Sequence, residues 1–206
     1  MELVIDTATA ACSVALIDGG AIVDQRHETV GRGHAERLMP EIASLLEGRA
    51  PPRAVRVDCG PGSFTGVRVG LAAARALGLA WGVPVHGYSA TALIAAGMFA
   101  EDAALEALTV AMIGGHGEMF VQRFAQAPFA ARTALASLSP EAAAALADHC
   151  VAGSAAVALV QARGHGEARE ILPRAADVRL LPASFAALPP VPIYGRAPDA
   201  KAPGAA

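Results

Sequence analysis

The segment 59-CGPGSFTGVRVGLAAARALGLAWG-82 joins a glycine-rich turn to a long run of small apolar residues. The turn is typical of a loop whose backbone N–H groups bind an anion, and the run predicts a helix from about Thr65 to Trp81. Ser63 or Thr65 is placed to cap that helix. The segment therefore favours one of two roles, a nucleotide site or a surface that packs against another protein.

Small residues recur at every fourth position of this helix, and each glycine inside a helix costs about 1 kcal/mol relative to alanine. Close approach of another backbone would compensate that cost. The stripe consists of Gly66, Gly70, Ala74, Gly78 and Gly82. The opposite face is apolar too, and it consists of Val69, Ala72, Ala73, Ala76 and Ala80. A helix that is apolar all round is buried on both sides, either by a second layer of the same chain or by a partner.

The composition predicts a packed globular protein, because 54% of the 206 residues are hydrophobic and 17% are charged. A formal net charge of -3 without a basic block does not support a dedicated nucleic-acid surface. Three scattered cysteines, Cys12, Cys59 and Cys150, indicate buried thiols in a reducing compartment. The N-terminus lacks the pattern of a signal peptide, and the apolar run at 69–83 is too short for a membrane span. We expect a soluble, cytoplasmic protein.

The first half of the chain predicts three strands in an antiparallel meander, followed by alternating helices and strands. Pro40 either kinks the first helix or marks its first regular turn. This order predicts a mixed sheet with helices on its faces. The expected strands are 2–8, 12–20, 21–30, 54–60 and 83–89, and the expected helices are 34–48, 65–81 and the segment from Ser89 through Gly97.

The second half has a weaker pattern. A hairpin is expected from 108–115 and 118–125, and Ser139 with Pro140 predicts a helix start. Further expected elements are a helix at 140–149, a short strand at 150–153, a helix at 155–164 and an extended piece at 171–174. The proline-rich tail, residues 189–206, is expected to lack regular structure, at least from Pro198 onward.

The candidate chemical sites are incomplete. A phosphate loop of the Walker type needs a lysine after its last glycine, whereas Gly66 is followed by Val67 and Arg68. Asp6 and Thr7 end the first strand, where an acid and a hydroxyl could face a nucleotide, although a strand-terminal turn explains them as well. Ser63 and Thr65 are the other nucleotide-facing candidates. No pair of histidines or cysteines has metal-ligand spacing, and no serine-hydrolase motif is present, so we expect neither a metal site nor a catalytic residue.

With these residues assembled, the chain resembles the TsaB family, also called YeaZ. That family is the partner subunit of the enzyme that makes N6-threonylcarbamoyladenosine at position 37 of tRNA. The matching pieces are 5-IDTATAACSVAL-16, 34-HAERLMPEIASLL-46, 60-GPGSFTGVRVGLAAARALGLAWGVPVHGYSA-90 and 192-PIYGRAPDAK-201. The resemblance is densest over the first 90 residues.

The resemblance implies an α/β protein with an actin-like fold (ASKHA, RNase H-like), in which two lobes carry mixed β-sheets and the second lobe is reduced. The implied domains are an N-terminal lobe at 1–101, which carries the partner-binding helices, and a smaller C-terminal lobe at 102–206.

The resemblance also implies a non-catalytic scaffold and activator subunit. Its helices 34–47 and 65–81 would bind the catalytic TsaD subunit, and the ATPase TsaE would join the pair. We expect an apolar surface that is buried only in the complex. The expected contact residues are His34, Leu38, Ile42, Val67, Gly70, Leu71, Ala74, Arg75 and Gly78.

Further expectations follow from the same resemblance. ATP and metal belong on the partner subunits and not on this chain, and tRNA is contacted only through the complex. A third alternative, which rests on the apolar helices and not on the resemblance, is a homodimer formed through the same helices when the partner is absent. TsaD carries a metal-binding H-x-x-x-H motif on the matching helix, of which only His34 is present here, with Leu38 in the second ligand's place.

One segment of the chain departs from the family pattern. Family members have the sequence D-A-R-x-G-E-V-Y at the second-lobe hairpin, whereas this chain has 113-IGGHGEMF-120, which puts any role of that turn in doubt.

The alternative function is a stand-alone nucleotide-dependent enzyme with an actin fold, or a glycoprotease of the peptidase M22 type. The missing lysine and the missing second histidine argue against both.

Overall fold

The framework of the chain is a pair of β-sheets, seen in a computed structural model that describes residues 1–195. The strands of the first sheet are β1 Glu2–Asp6, β2 Ala11–Asp18, β3 Ala21–Thr29, β4 Val55–Asp58 and β5 Val85–Tyr88. Their order is β3-β2-β1-β4-β5. The expected meander is confirmed, since β1, β2 and β3 pair antiparallel, and β4 and β5 continue the sheet parallel to β1.

Three helices accompany the first sheet, namely α1 His34–Leu46, α2 Phe64–Trp81 and α3 Ala90–Glu101. α2 begins where the sequence predicts, because the Ser63 hydroxyl accepts the backbone N–H of Gly66, and it ends where Gly82 adopts a φ of 66°. α1 runs through Pro40, so that this proline does not mark the first turn of the helix.

The second sheet contains the expected hairpin and several strands that the sequence did not reveal. Its strands are β6 Ala107–Ile113, β7 Met119–Ala125, β8 Ala130–Ala131, β9 Ala136–Leu138, β10 Cys150–Ala152 and β11 Glu167–Arg169. The order is β11-β10-β6-β7-β8, and β9 also pairs with β7. Residues 171–174, expected to be extended, belong to no strand. Two helices cover this sheet, α4 Pro140–Leu146 and α5 Ala156–Arg163.

These elements stack in five layers, which is the mixed α/β arrangement that the sequence predicts and the actin-like fold that the resemblance implies. β1 shows how the layers form, since Leu3 and Ile5 pack under α1 and α2 while Val4 points to the opposite face. On that opposite face lies α3, whose residues from Ala90 to Phe99 are all buried between the two sheets. A third apolar cluster joins the far side of the second sheet to α4 and α5.

The end of the described chain returns to the first sheet. A 3-10 helix, Ala175–Leu180, and a short helix α6, Ala183–Ala186, lead into a segment that contacts both β4 and β5. Gly87 exchanges two backbone hydrogen bonds with Leu188, and the N–H of Ile193 donates to the carbonyl of Cys59 over 2.7 Å. The predicted boundary between 1–101 and 102–206 stays a prediction, and the expected irregularity from Pro198 onward lies outside the described residues.

The expected buried thiols are confirmed, since Cys12, Cys59 and Cys150 are free and buried. Burial raises the pKa of the Cys12 thiol to about 11 and that of the Cys59 thiol to about 12, which leaves little reactive thiolate. Within residues 1–195, no helix has the length and apolar character to cross a membrane.

Candidate functional site

The glycine-rich loop after β4 is packed closely against the residues that follow β1. The N–H of Ser63 donates to the carbonyl of Ala8 over 2.7 Å, and the Thr7 hydroxyl donates to the carbonyl of Gly66 over 2.7 Å. A Cβ on Gly66 would overlap the carbonyl oxygen of Thr7. Glycine is needed in this loop because another backbone approaches it, and Ser63 acts as the cap of α2.

The stripe of small residues on α2 packs against the chain's own sheet. A Cβ on Gly78 would overlap the side chain of Val85 in β5, and one on Gly70 would overlap the hydroxyl of Thr7. Ala74 is 0% exposed, and Val67 and Leu71 belong to the same apolar cluster as β1 and β4. The backbone approach that the stripe predicts is therefore supplied by the first sheet.

This packing corrects the expected exposure of the candidate contact residues. An apolar surface free in the isolated chain was expected along Val67, Gly70, Leu71, Ala74 and Gly78, and that expectation is wrong because all five are buried. The α1 candidates are also buried, because Leu38 and Ile42 join the same cluster and His34 Nε2 lies 3.2 Å from the carbonyl oxygen of Ala11. Arg75 alone of the nine is exposed, and its Nη2 donates to the carbonyl of Pro190 over 2.6 Å.

The opposite side of α2 forms an apolar surface that no described residue covers. We call it the outer face and define it by Ala72, Ala76, Leu79 and Ala80 of α2 and Met39 of α1, which lies beside α2. Leu79 is 87% exposed and Met39 is 46% exposed. Ala72, Ala76 and Ala80 follow one another at helical spacing, as the sequence indicated for a face that a second layer or a partner must cover.

The four candidates for contact with a nucleotide lie in different surroundings. Asp6 and Thr7 are buried and have partners inside the protein, and Ser63 accepts the N–H of Gly66. Thr65 is exposed in the first turn of α2. The structure does not bring these four side chains together at one surface.

Asp6 instead meets a second acid, Asp58, which belongs to none of the motifs in the sequence. Ile5 pairs with Val57 in the parallel ladder, so the residues that follow them, Asp6 and Asp58, lie side by side at the carboxyl ends of β1 and β4. Both carboxyl groups are almost wholly buried, at 0% and 1% exposed. The signal was present in the sequence, because two strands that each end on aspartate become neighbours once they pair in parallel.

The two carboxyl groups require a shared proton. Asp58 Oδ1 accepts the N–H of Gly60 over 2.7 Å, whereas the buried Asp58 Oδ2 has no partner if both acids are ionised. The hydroxyl of Tyr88 lies 3.3 Å from Asp6 Oδ2, and burial raises the pKa of Asp6 to about 7. Burial, together with the neighbouring Asp6, raises the pKa of Asp58 well above its ordinary value. A proton between the carboxyls therefore satisfies Asp58 Oδ2 and ties β1 to β4.

The hairpin that departs from the family pattern is a tight turn. The N–H of Gly114 donates to the carbonyl of Glu118 over 2.9 Å, and His116 has a φ of 61°. The carboxylate of Glu118 accepts the hydroxyl of Ser137 over 2.6 Å, which links the turn to β9. Over residues 1–195, no group of three or more histidine, cysteine, aspartate or glutamate side chains is placed to hold a metal ion.

Comparison with known proteins identifies the family. Residues 25–184 match the protein family described as TsaD: tRNA N6-adenosine threonylcarbamoyltransferase. The Escherichia coli protein named tRNA threonylcarbamoyladenosine biosynthesis protein TsaB is 37% identical over 110 residues, which are 52% of this chain and 47% of that protein. An uncharacterized protein of Mycobacterium tuberculosis is 43% identical over 91 residues, which are 41% of this chain and 43% of that protein. The chain thus matches less than half the length of these curated relatives.

Solved structures match over nearly the whole chain. A Pseudomonas aeruginosa protein described as similar to peptidase YEAZ superposes with a TM-score of 0.81 at 30% identity, covering 95% of this chain and 99% of that one. YeaZ from Pseudomonas aeruginosa gives a TM-score of 0.78 at 28% identity, covering 94% of this chain and 98% of that one. By its sequence match and its fold, the chain belongs to the tRNA N6-adenosine threonylcarbamoyltransferase (TsaD) family, and within it to the TsaB (YeaZ) group.

Proposed function

We propose that the chain acts in the biosynthesis of tRNA N6-threonylcarbamoyladenosine as a non-catalytic scaffold and activator subunit that binds the catalytic TsaD subunit. The process is supported by the relatives named tRNA threonylcarbamoyladenosine biosynthesis protein TsaB. The observation that carries the role is the outer face, an apolar surface on α1 and α2 that the described part of the chain leaves uncovered. Exposed apolar patches of this kind mark sites of protein association.

The partner contacts in this proposal lie on the outer face and not on the buried stripe. Leu79 is its most exposed large side chain, and full burial of a leucine contributes about 1.5–3 kcal/mol. Arg75, exposed on the same helix, lies at the edge of this face and is available to an acidic group of the partner. The residues of the stripe support the interface indirectly, because they hold α2 against the sheet.

The wider assembly in this proposal follows the family resemblance. TsaE joins the pair, ATP and metal are held by the partner subunits, tRNA is reached only through the complex, and the complex works in the cytoplasm. Two copies of the chain pair through the outer face when TsaD is absent. The enzymatic alternatives, an actin-fold nucleotide-dependent enzyme or an M22-type glycoprotease, have less support because Asp6 is sealed inside the protein beside Asp58.

The test is co-purification with TsaD from the same organism. Leu79→Arg places a charge in the centre of the proposed interface, and we expect it to weaken the complex at least about 100-fold, since it removes leucine burial and leaves a desolvated charge without a partner. The matched control is Leu146→Arg on α4, where a leucine that is 56% exposed lies on another surface. The proposal fails if the Leu79 variant, still folded by circular dichroism, retains TsaD as well as the control does.

Mass measurement separates the two uses of the outer face. Light scattering of the chain alone should show dimers that dissociate in the Leu79→Arg variant, and addition of TsaD to the wild-type chain should replace them with a one-to-one heterodimer. Dimers that persist in the variant would mean that self-association uses a different surface.

A further inference from the structure

A cleft with a cavity volume of about 890 Å³ opens between the two sheets, on a side of the molecule that the outer face does not include. Its walls come from the loop after β1, the start of α2, the end of β6 and residues 192–195. A volume of this size is in the range of pockets that enclose a small organic molecule. A bare inorganic ion would leave most of it empty.

The walls of the cleft are mainly apolar and include three aromatic rings, those of Phe64, Phe120 and Tyr194. Phe64 is 70% exposed and Tyr194 is 59% exposed, although aromatic side chains gain more than most from burial. Flat rings at the mouth of a cavity offer stacking and edge contacts to a flat apolar group. The shape and lining therefore favour a ligand with a planar or apolar body.

The only charged side chain that lines the cleft within residues 1–195 is Arg68. Its guanidinium stacks 3.2 Å from the centre of the Phe64 ring, while Nη1 donates to the carbonyl of Phe64 over 3.1 Å and Nη2 to the hydroxyl of Tyr194 over 2.8 Å. A guanidinium has five N–H donors, so this arrangement fixes the group and leaves donors for a ligand. With no carboxylate among the described residues of the lining, its positive charge is not compensated by them.

The hydroxyl groups of the cleft reinforce this preference. Thr9, Ser63 and Ser154 each accept a backbone N–H, from Ala11 over 3.3 Å, from Gly66 over 3.2 Å and from Ile113 over 3.0 Å respectively. None of the three hydroxyls donates a hydrogen bond within residues 1–195, so each has a proton to offer to a ligand. The described side chains of the cleft thus present three hydroxyl donors beside one cation.

We propose that this cleft binds an organic anion with a flat, apolar body, whose negative group lies against Arg68 and whose body lies along Phe64, Phe120 and Tyr194. A cation of the same shape is rejected because Arg68 repels it and none of the lining residues within 1–195 is an acid that could receive it. An inorganic anion binds weakly because it uses none of the apolar wall. This inference is independent of TsaD binding, since the cleft and the outer face share no residue.

The experiment is isothermal titration of the isolated full-length chain with 2-naphthoate, a flat aromatic anion. 2-Naphthylmethylammonium, a cation of closely similar size, and inorganic phosphate serve as the comparison probes. We expect saturable binding of one naphthoate per chain and at least tenfold weaker binding of both other probes. Equal binding of the cation would overturn the proposed charge preference, and equal binding of phosphate would overturn the role of the apolar wall.

Two variants and a matched control locate the binding. Arg68→Gln should weaken naphthoate at least about tenfold, the value expected for one charge-assisted hydrogen bond. Phe64→Ala should weaken naphthoate more than it weakens phosphate, because it removes a ring and keeps the cation. The control Arg53→Gln removes an arginine that is 66% exposed and lies outside the cleft, and should leave the affinity unchanged. Unchanged affinity in the folded Arg68 variant would overturn the proposal.

Discussion

Asp6 and Asp58 show how two acids are kept inside a protein at moderate cost. Isolated buried carboxylates are strongly disfavoured, but a proton between the two groups leaves only one charge, and Gly60, Ala8 and Tyr88 provide its hydrogen-bonding surroundings. The pair then links the ends of β1 and β4 where the glycine-rich loop leaves the sheet. Its protonation state is therefore coupled to the local geometry of that loop.

The first prediction concerns the pH dependence of stability. Since the folded pKa of Asp6 is raised from its ordinary value of 3.8 to about 7, the folded chain holds a proton that the unfolded chain loses between these values. The contribution of Asp6 is therefore greatest below about pH 4, and it falls as pH rises towards 7 by up to about 1.4 kcal/mol per pH unit. The raised pKa of Asp58 adds a loss of stability in the same direction. Urea unfolding at pH 5, 6, 7 and 8 measures this slope.

Asp58→Asn is the matching variant. The asparagine oxygen can accept the N–H of Gly60, and its NH₂ can donate to Asp6 in place of the shared proton. We expect a flatter slope between pH 5 and 7 and a higher free energy of unfolding at pH 8 than in the wild type. Glu47→Gln, which removes an exposed acid at the end of α1, should leave the slope unchanged. A slope that Asp58→Asn does not alter would contradict the shared proton.

At the scale of the element, the orientation of α2 gives two alanines of the same helix opposite surroundings. Ala74 is 0% exposed against the sheet, whereas Ala76 is exposed on the outer face. Ala74→Arg should lower the free energy of unfolding by at least about 3 kcal/mol, because it buries a charge without a partner. Ala76→Arg should change it by less than about 0.5 kcal/mol and impair TsaD binding instead. Thermal unfolding of both variants checks this, and similar stabilities would contradict the orientation of α2.

The same helix shows how far the sequence could predict the fold. Its bounds were predicted to within one residue because Ser63 and Gly82 have local capping roles that need no tertiary information. Its stripe of small residues correctly predicted a close backbone contact but not which surface makes that contact. Periodicity identifies the residues that share one side of a helix, and it does not identify what packs against them. That ambiguity explains why the expected contact residues include the buried Val67, Leu71 and Ala74, whereas a second layer and a partner remain alternatives for the opposite face.

The strands that went unpredicted are those with little local pattern. β8 has two residues, and β9 and β11 have three each, which is too short for an alternation of apolar and polar side chains to emerge. β10 is equally short but was predicted, because its three residues are all apolar, as expected for a strand buried inside a sheet. The pairing of β8, β9 and β11 is set by the hairpin of β6 and β7 and by β10, to which they add at the sheet edges. The Asp6–Asp58 pair has no local signal either. Each aspartate alone indicates only the end of a strand, and the two become neighbours because β1 and β4 pair in parallel.

At the scale of the whole molecule, the two sheets share one apolar layer. α3 contributes to a cluster that contains Val4 of β1 and Leu108 of β6, and the returning chain adds Val178 to the same cluster. The return of residues 175–193 to the first sheet has no periodic signal in the sequence, because it rests on isolated backbone hydrogen bonds such as that between Gly87 and Leu188. Each half of the chain therefore completes the core of the other.

This shared layer predicts that the two lobes unfold together. Leu93 of α3 is 1% exposed within the common cluster, and Leu93→Ala should cost about 2–5 kcal/mol and lower the melting temperature by roughly 5–15 °C. Scanning calorimetry should show one transition in the wild type and one shifted transition in the variant. Leu146→Ala, at a leucine that is 56% exposed on α4, should leave the transition nearly unchanged. Two transitions, of which Leu93→Ala moves only one, would show that the lobes are stable independently and that α3 belongs to a single lobe.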